Sequence, residues 1–372
     1  MSGARIVVLG LMSRHPVAGI VWLTMQHVAG LARLGHDVYY VETSSGDAAF
    51  VAREMERFGL PGRWAIDRRA YEGESDGLSI RGLADVFRSA DLVINLNGST
   101  KATDEHRANG RLVYVETDPV KLELDASQSA AGTKAYLEPH HAFFTWGENY
   151  GERDCLVPIP DWLVFKPTRQ PVLLDAWQAD GIAPGDAFTT VGNWRQEHRD
   201  AVVNGVTYSW SKHHEFLKLI DLPRRTGAAF ELALSSYTDG DRDHLEANGW
   251  RVRDAADVSS SPEDYRQYIV ASRGEFSVAK DMNVRLRSGW IGDRSPTYLA
   301  AGRPVILQDT GFSNVLPTGQ GLLAFTGPDD AAAAVEAVTA DYERHSRVAR
   351  ELAQDYFAHD VVLPRLLADA GL

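Results

Sequence analysis

Residues 288–311, SGWIGDRSPTYLAAGRPVILQDTG, decide how this chain is read, because a loop, a helix start and a strand follow one another there. The loop Gly289-Trp290-Ile291-Gly292 carries glycine at both ends, where backbone can approach a ligand with no Cβ in the way. Asp293-Arg294-Ser295-Pro296 then has the marks of a helix N-terminus. Asp293 or Ser295 can accept from unpaired amides, and Pro296 lacks the N–H that a first helical turn leaves without a partner. Residues 297–301 are predicted helical up to Gly302, and 304–307 form an apolar strand followed by Gln308, Asp309, Thr310 and Gly311. A glycine loop feeding a helix presents free amides and the positive end of the helix dipole, which suits a phosphate. The polar cluster after the strand lies where open α/β sheets bind ligands, beyond the carboxyl ends of their strands.

The same strand–loop–helix order recurs through the chain. Residues 5–10, RIVVLG, are a continuous apolar run, as expected of a strand buried on both faces of a parallel sheet. A loop with Arg14 and His15 follows, then a helix with Ile20, Leu23, Val28, Leu31 and Leu34 near the 3.6 period, capped by Gly35. Further strands are predicted at 37–42, 91–96, 111–117 and 142–146, with helices at 46–59 and 83–89. Residues 64–79 are polar without a clear period and are predicted as loop. Residues 166–171, KPTRQP, have the prolines of a linker. Beyond it a second set begins, with strands at 188–191, 230–234 and 275–278 and helices at 211–219, 262–272 and 328–340. The last part, 342–367, is predicted as amphipathic helix broken near 359–364. The fold class is therefore α/β, with two doubly wound, Rossmann-like domains.

These motifs together resemble the nucleotide-sugar glycosyltransferases of the two-Rossmann (GT-B) architecture. The helix, Gly35-His36 and strand of GLARLGHDVYYVE match their opening, and Gly302-Arg303-Pro304-Val305 matches the G-x-P-V that follows their donor loop. The resemblance implies two domains facing across a cleft: 1–167 for the acceptor and 168–344 for the nucleotide sugar, with 345–372 returning to the first. One position departs. Many such enzymes carry a ribose-binding glutamate five residues before that glycine, and here it is Thr297.

The totals narrow the alternatives. A chain of 372 residues is long enough for two ordinary domains, and its composition is that of a soluble globular protein. A net charge of −13 argues against binding a nucleic-acid polymer, which needs a basic footprint, yet leaves room for one nucleotide in a local basic pocket. The single cysteine, Cys155, excludes an internal disulfide, and no apolar run reaches membrane-spanning length. A cytoplasmic enzyme, monomer or homodimer, with no integral membrane part, is the expectation. A dinucleotide dehydrogenase fits less well, since no G-x-G-x-x-G follows the first strand.

A glycosyl transfer needs relief for the departing nucleoside diphosphate, a base for the acceptor hydroxyl, and groups that read the sugar. Gly292, Asp293, Arg294 and Ser295 are the leading donor-phosphate candidates, since Arg294 can bind phosphate through two N–H groups. Lys212, beyond the strand end at Asn193, and Lys280, after EFSV, are further cations for the same task. Gln308, Asp309, Thr310 and Gly311 are expected at the donor sugar, and Asn97 and Glu116 at the acceptor. Histidine titrates near neutrality, so His15, at the mouth of the implied cleft, is the candidate base. In the inverting enzymes it resembles, that histidine is oriented by an aspartate about a hundred residues on, a separation Asp118 matches. Trp22, Trp146 and Trp290 are available to stack on rings. No Cys or His spacing suggests a metal site, and no cofactor beyond the UDP-sugar co-substrate is expected. The expected activity is transfer of a hexose from a UDP-sugar to a natural product or nucleoside, inverting and metal-independent. A nucleotide-sugar epimerase, a retaining transferase or a non-catalytic sugar-nucleotide binder are the alternatives.

Overall fold

A computed structural model describes residues 3–71, 73–128, 131–179 and 181–372. Two open sheets organise it. The first contains β1 (Arg5–Leu9), β2 (Asp37–Thr43), β3 (Trp64–Asp67), β4 (Ser75–Gly77), β5 (Leu92–Leu96), β6 (Leu112–Glu116), β7 (Ala142–Thr145) and β8 (Phe165–Pro167). Its spatial order is β4-β3-β2-β1-β5-β6-β7-β8, parallel except for β4, which runs antiparallel to β3. The second sheet draws on β9 (Ala187–Asn193), β12 (Ala229–Ser235), β13 (Arg251–Asp254), β14 (Gly274–Ser277), β15 (Val305–Gln308) and β16 (Leu322–Phe325). Its order is β13-β12-β9-β14-β15-β16, all parallel, while β10 (Ala201–Val203) and β11 (Val206–Tyr208) form a separate hairpin.

The apolar runs read from the sequence are explained by helices on both faces. In β1, Ile6 and Val8 pack with the helix Ala18–Arg33, whereas Val7 and Leu9 meet Leu83 and Phe87 of the helix Ile80–Ser89. Side chains alternate across a strand, so a strand covered twice has no position where a polar residue is cheap. The second sheet behaves alike. Phe188, Phe230 and Phe276 pack on one face, and Val191, Ala233 and Val305 on the other.

Two readings of the sequence are corrected. Residues 64–79 are not all loop: β3 continues the sheet, and β4 folds back on it at its edge, where short polar strands carry little hydrophobic pattern. The segment 166–171 is not a free linker. Lys166 and Pro167 belong to the edge strand β8, where a missing N–H is tolerated, and Thr168 and Gln170 are buried. The last helical segment breaks at Ala358, one residue before the expected 359–364, and Pro364 lies inside the helix His359–Asp369.

The chain crosses between the lobes twice, and the two crossings touch. Val172 bridges Ala358, its amide donating to Phe357 and its carbonyl accepting from His359. The helix Tyr342–Leu352 stays with the second sheet, where Ala349 and Leu352 join Tyr298 and Leu322. The helix His359–Asp369 instead lies along Ala18–Arg33, with Leu363, Leu366 and Leu367 inside the first core. Burial of that helix therefore holds the first lobe to the second crossing. Leu363→Ala, at a fully buried position, is expected to cost about 2–5 kcal/mol of stability, read from the denaturant midpoint at constant slope.

Candidate functional site

The lobes meet at the carboxyl ends of their strands. Asn149, in the loop after β7, is fully buried between them. Its amide nitrogen donates to the Arg287 carbonyl and to Asp154, and its side-chain oxygen accepts from Asn314. Two glycines of the second lobe close on it. Gly289 has φ 83°, and a Cβ there would stand 2.3 Å from the Asn149 backbone nitrogen. Gly311 has φ 100°, and its Cβ would stand 2.6 Å from the Asn149 side-chain nitrogen. Both residues need a conformation and a proximity that only glycine offers. Gly311, expected at the donor sugar, thus serves the lobe junction.

Beside this junction, at the switch point between β9 and β14, the loop 287–293 and the helix Arg294–Ala300 form one wall of a small cleft. Gly292, Arg294, Ser295, Lys212, Gln308 and Trp290 line it. Arg294 donates through Nε to Glu275 at 3.0 Å, and Glu275 is fully buried at the centre of the sheet. Lys280, buried just past β14, carries its ammonium 3.4 Å from the centre of the Trp210 ring and 5.5 Å from that of Trp290. Lys212 approaches Trp290 equally, at 5.5 Å. Among the described residues no carboxylate is paired with Lys212. Burial, with Arg294 and Lys280 nearby, lowers its pKa to about 7. Burial also lowers Lys280 to about 8, against the opposing pull of Asp118. Asp293 is pushed upward by burial. The cavity left open among these second-lobe residues is only about 20 Å³.

The cluster brings together most of the expected donor residues and separates others. Gln308 lines the cleft, but its amide already bridges Glu215 at 2.7 Å and the Ala279 N–H at 3.2 Å. Asp309 does not face the cleft as a sugar ligand. It accepts from the Gly311 amide and the Ser313 hydroxyl, both at 2.9 Å, and so ties the turn after β15. Thr310 is fully buried and donates to the Trp290 carbonyl at 2.8 Å. Asn193 is exposed and accepts from Ser235.

On the first lobe the differences are larger. Glu116, expected at the acceptor, is buried, bonded to Thr145 at 2.7 Å, and driven well above the carboxylate range by burial and by Glu123. Asn97 has φ 61° and accepts from Thr117 at 2.6 Å, so it shapes the strand-end turn. Asp118, expected to orient His15, accepts instead from Lys280 of the other lobe. A buried ammonium with neutral indoles around it draws the nearest carboxylate. His15 is exposed in the loop after β1, and no side-chain partner is found for it among the described residues. That loop is placed by Glu42 at the end of β2, fully buried, which accepts from the Ser13 and Arg14 amides and the Ser13 and Tyr40 hydroxyls. Glu42 was visible only as the last letter of a strand. Trp290 was singled out for stacking, and it also ties the lobes, donating through Nε1 to the Thr117 carbonyl at 3.0 Å.

No protein-family model matches the chain, and no curated protein matches it in sequence. Its architecture is nevertheless shared over its whole length with solved structures. HepE of Anabaena, in complex with UDP-glucose, aligns with a TM-score of 0.60 at 12% identity, covering 99% of each chain. An alpha-glucosyltransferase in complex with UDP and a 13-mer DNA aligns at 0.63 and 9% identity, covering 100% of each. AviGT4, a glycosyltransferase of avilamycin A biosynthesis, aligns at 0.53 and 12% identity, over 99% of this chain and 97% of that one. The fold is thus the two-lobed GT-B fold of these glycosyltransferases.

The two depressed lysines give a stability test. Between the folded pKa of Lys212, about 7, and its ordinary value of 10.5, the unfolded chain binds the proton that the folded chain has lost. Stability then rises with pH in that window, and the contribution is absent once the lysine is removed. Wild type is expected to gain stability relative to Lys212→Met from pH 7 to 10, measured by urea denaturation of both proteins across that range.

Proposed function

We propose that this chain is a glycosyltransferase that moves a hexose from a UDP-sugar to a hydroxyl of a small-molecule acceptor, a natural product or a nucleoside. The observation that carries the reading is Lys212, a cation without an ion-pair partner among the described residues, held with Arg294 and Lys280 at the strand ends of the second sheet. Keeping like charges together in a partly dry cleft is unfavourable until an anion arrives. A diphosphate supplies the missing charge, and the same cations steady it as the glycosidic bond breaks and negative charge grows on the departing oxygen. The Gly292–Ser295 turn would lie against the phosphates, and the first lobe would take the acceptor beside Asn97 and the His15 loop. HepE and the alpha-glucosyltransferase were solved with UDP-glucose and UDP, which supports uridine as the nucleoside.

His15 is proposed to take the acceptor proton in a single inverting displacement. The helix that follows its loop starts close to the donor turn, since a Cβ on Gly19 would stand 3.8 Å from the Asp293 carboxylate. A retaining displacement is the second reading, favoured by one observation: Asp118 is held by Lys280, leaving His15 without an orienting carboxylate. The anomeric coupling constant of the product, read by proton NMR against the donor, separates the two.

If the diphosphate needs charged lysines, UDP affinity falls as pH rises through about 7 and 8, the values for Lys212 and Lys280. Titration calorimetry at pH 6 and pH 9 is expected to show weaker binding at pH 9 and proton uptake near pH 7.5. Lys212→Arg, charged throughout, should flatten the profile. Absence of UDP binding at pH 6 would end this reading.

A further inference from the structure

Lys280 and Asp118 come from different lobes, one following β14 and the other following β6. Their contact is made inside the cation cluster of the proposed donor site, with Trp290 bonded to Thr117, the residue next to Asp118, and its ring facing both lysines. Asp118 is therefore the one carboxylate that the first lobe pairs with these three cations in the described structure. Glu275, which pairs with Arg294, belongs to the second sheet and is fully buried there, whereas Asp118 stands at a strand end with its side chain more than a third exposed. Because the Asp118 side chain reaches solvent, it can pass from Lys280 to water once another anion takes its place on that buried ammonium. Glu275 is fully buried, so leaving Arg294 would strand its charge away from water.

We propose that Asp118 is an exchangeable internal counter-ion that occupies the phosphate position on Lys280 in the unliganded protein and is displaced by the incoming diphosphate. This rests on the nucleotide-sugar reading of the site and adds a specificity-determining residue to it. The exchange conserves charge: Lys280 keeps one anionic partner before and after, and Asp118 passes from an ammonium to water. Because the displaced bond spans the lobes, donor binding also removes one of the ties between them, leaving the Trp290–Thr117 bond and the Asn149 junction in place. The diphosphate thus competes with a tethered carboxylate, and removing that competitor strengthens binding of the diphosphate alone.

The test is calorimetric titration of wild type, Asp118→Asn, Lys280→Gln and the double variant with UDP, inorganic pyrophosphate and uridine. Asp118→Asn is expected to bind UDP and pyrophosphate several-fold more tightly than wild type, with uridine unchanged. In the Lys280→Gln background the same change should have no effect, since the competition needs the ammonium. Unchanged or weaker UDP binding by Asp118→Asn, in a wild type that binds UDP, overturns the exchange and leaves the functional reading standing. Wild type binding neither UDP nor pyrophosphate overturns both. Should Asp118→Asn not fold, Asp118→Ser replaces it and carries the same expected results.

Discussion

Three cations share a narrow gap between two lobes, and the surrounding structure is arranged to tolerate that. Arg294 is neutralised by a carboxylate buried at the centre of the sheet, Lys280 by one reaching across from the other lobe, and Lys212 by nothing in the described structure. Burial pushes both lysines toward their neutral forms, to about 7 and about 8, so the charge of the site depends on what enters it. Indole faces at Trp210 and Trp290 supply the remaining favourable surroundings, since a ring quadrupole attracts an ammonium without bringing a second net charge. An anion is what this arrangement lacks.

Holding such a cluster requires the lobes to meet at a fixed distance. Asn149 sets it: one buried amide is bonded to the second lobe on both its nitrogen and its oxygen, and two left-handed glycines let the backbone close on it. An unsatisfied amide at that depth would cost about 1–3 kcal/mol, so the contact favours one lobe arrangement over others. The touching crossings at Val172 and Ala358, with the last helix buried on the first lobe, hold the lobes together as well. The lobes are therefore joined by polar contacts at the cleft and by apolar ones at the crossings.

Polar residues at strand ends divide into those that build turns and those that face the gap, and the expected site residues fall on both sides of that division. Asp309, Thr310 and Asn97 are short polar side chains next to backbone turns, and each spends its hydrogen bonds there. Glu116 is the last residue of its strand, and that strand, buried along its whole length, carries it into the core. Lysines and arginines have longer reach and no acceptor atoms, so they cross the loops and meet in the cleft.

The sequence by itself determined the two doubly wound sheets, most strand positions and the glycine turn ahead of the helix Arg294–Ala300, because buried strands, helix starts and glycine stops are local signals. It also determined that Lys212, Lys280 and Arg294 stand near strand ends, where an α/β sheet gathers ligands. The edge strands β4 and β8, and the four-residue β3 beside β4, escaped it, since such short strands carry little pattern. Only the tertiary structure decided which carboxylate meets which cation. Asp118 and Lys280 lie 162 positions apart, and spacing along the chain says nothing about the potential that a buried ammonium creates for the nearest carboxylate across the gap.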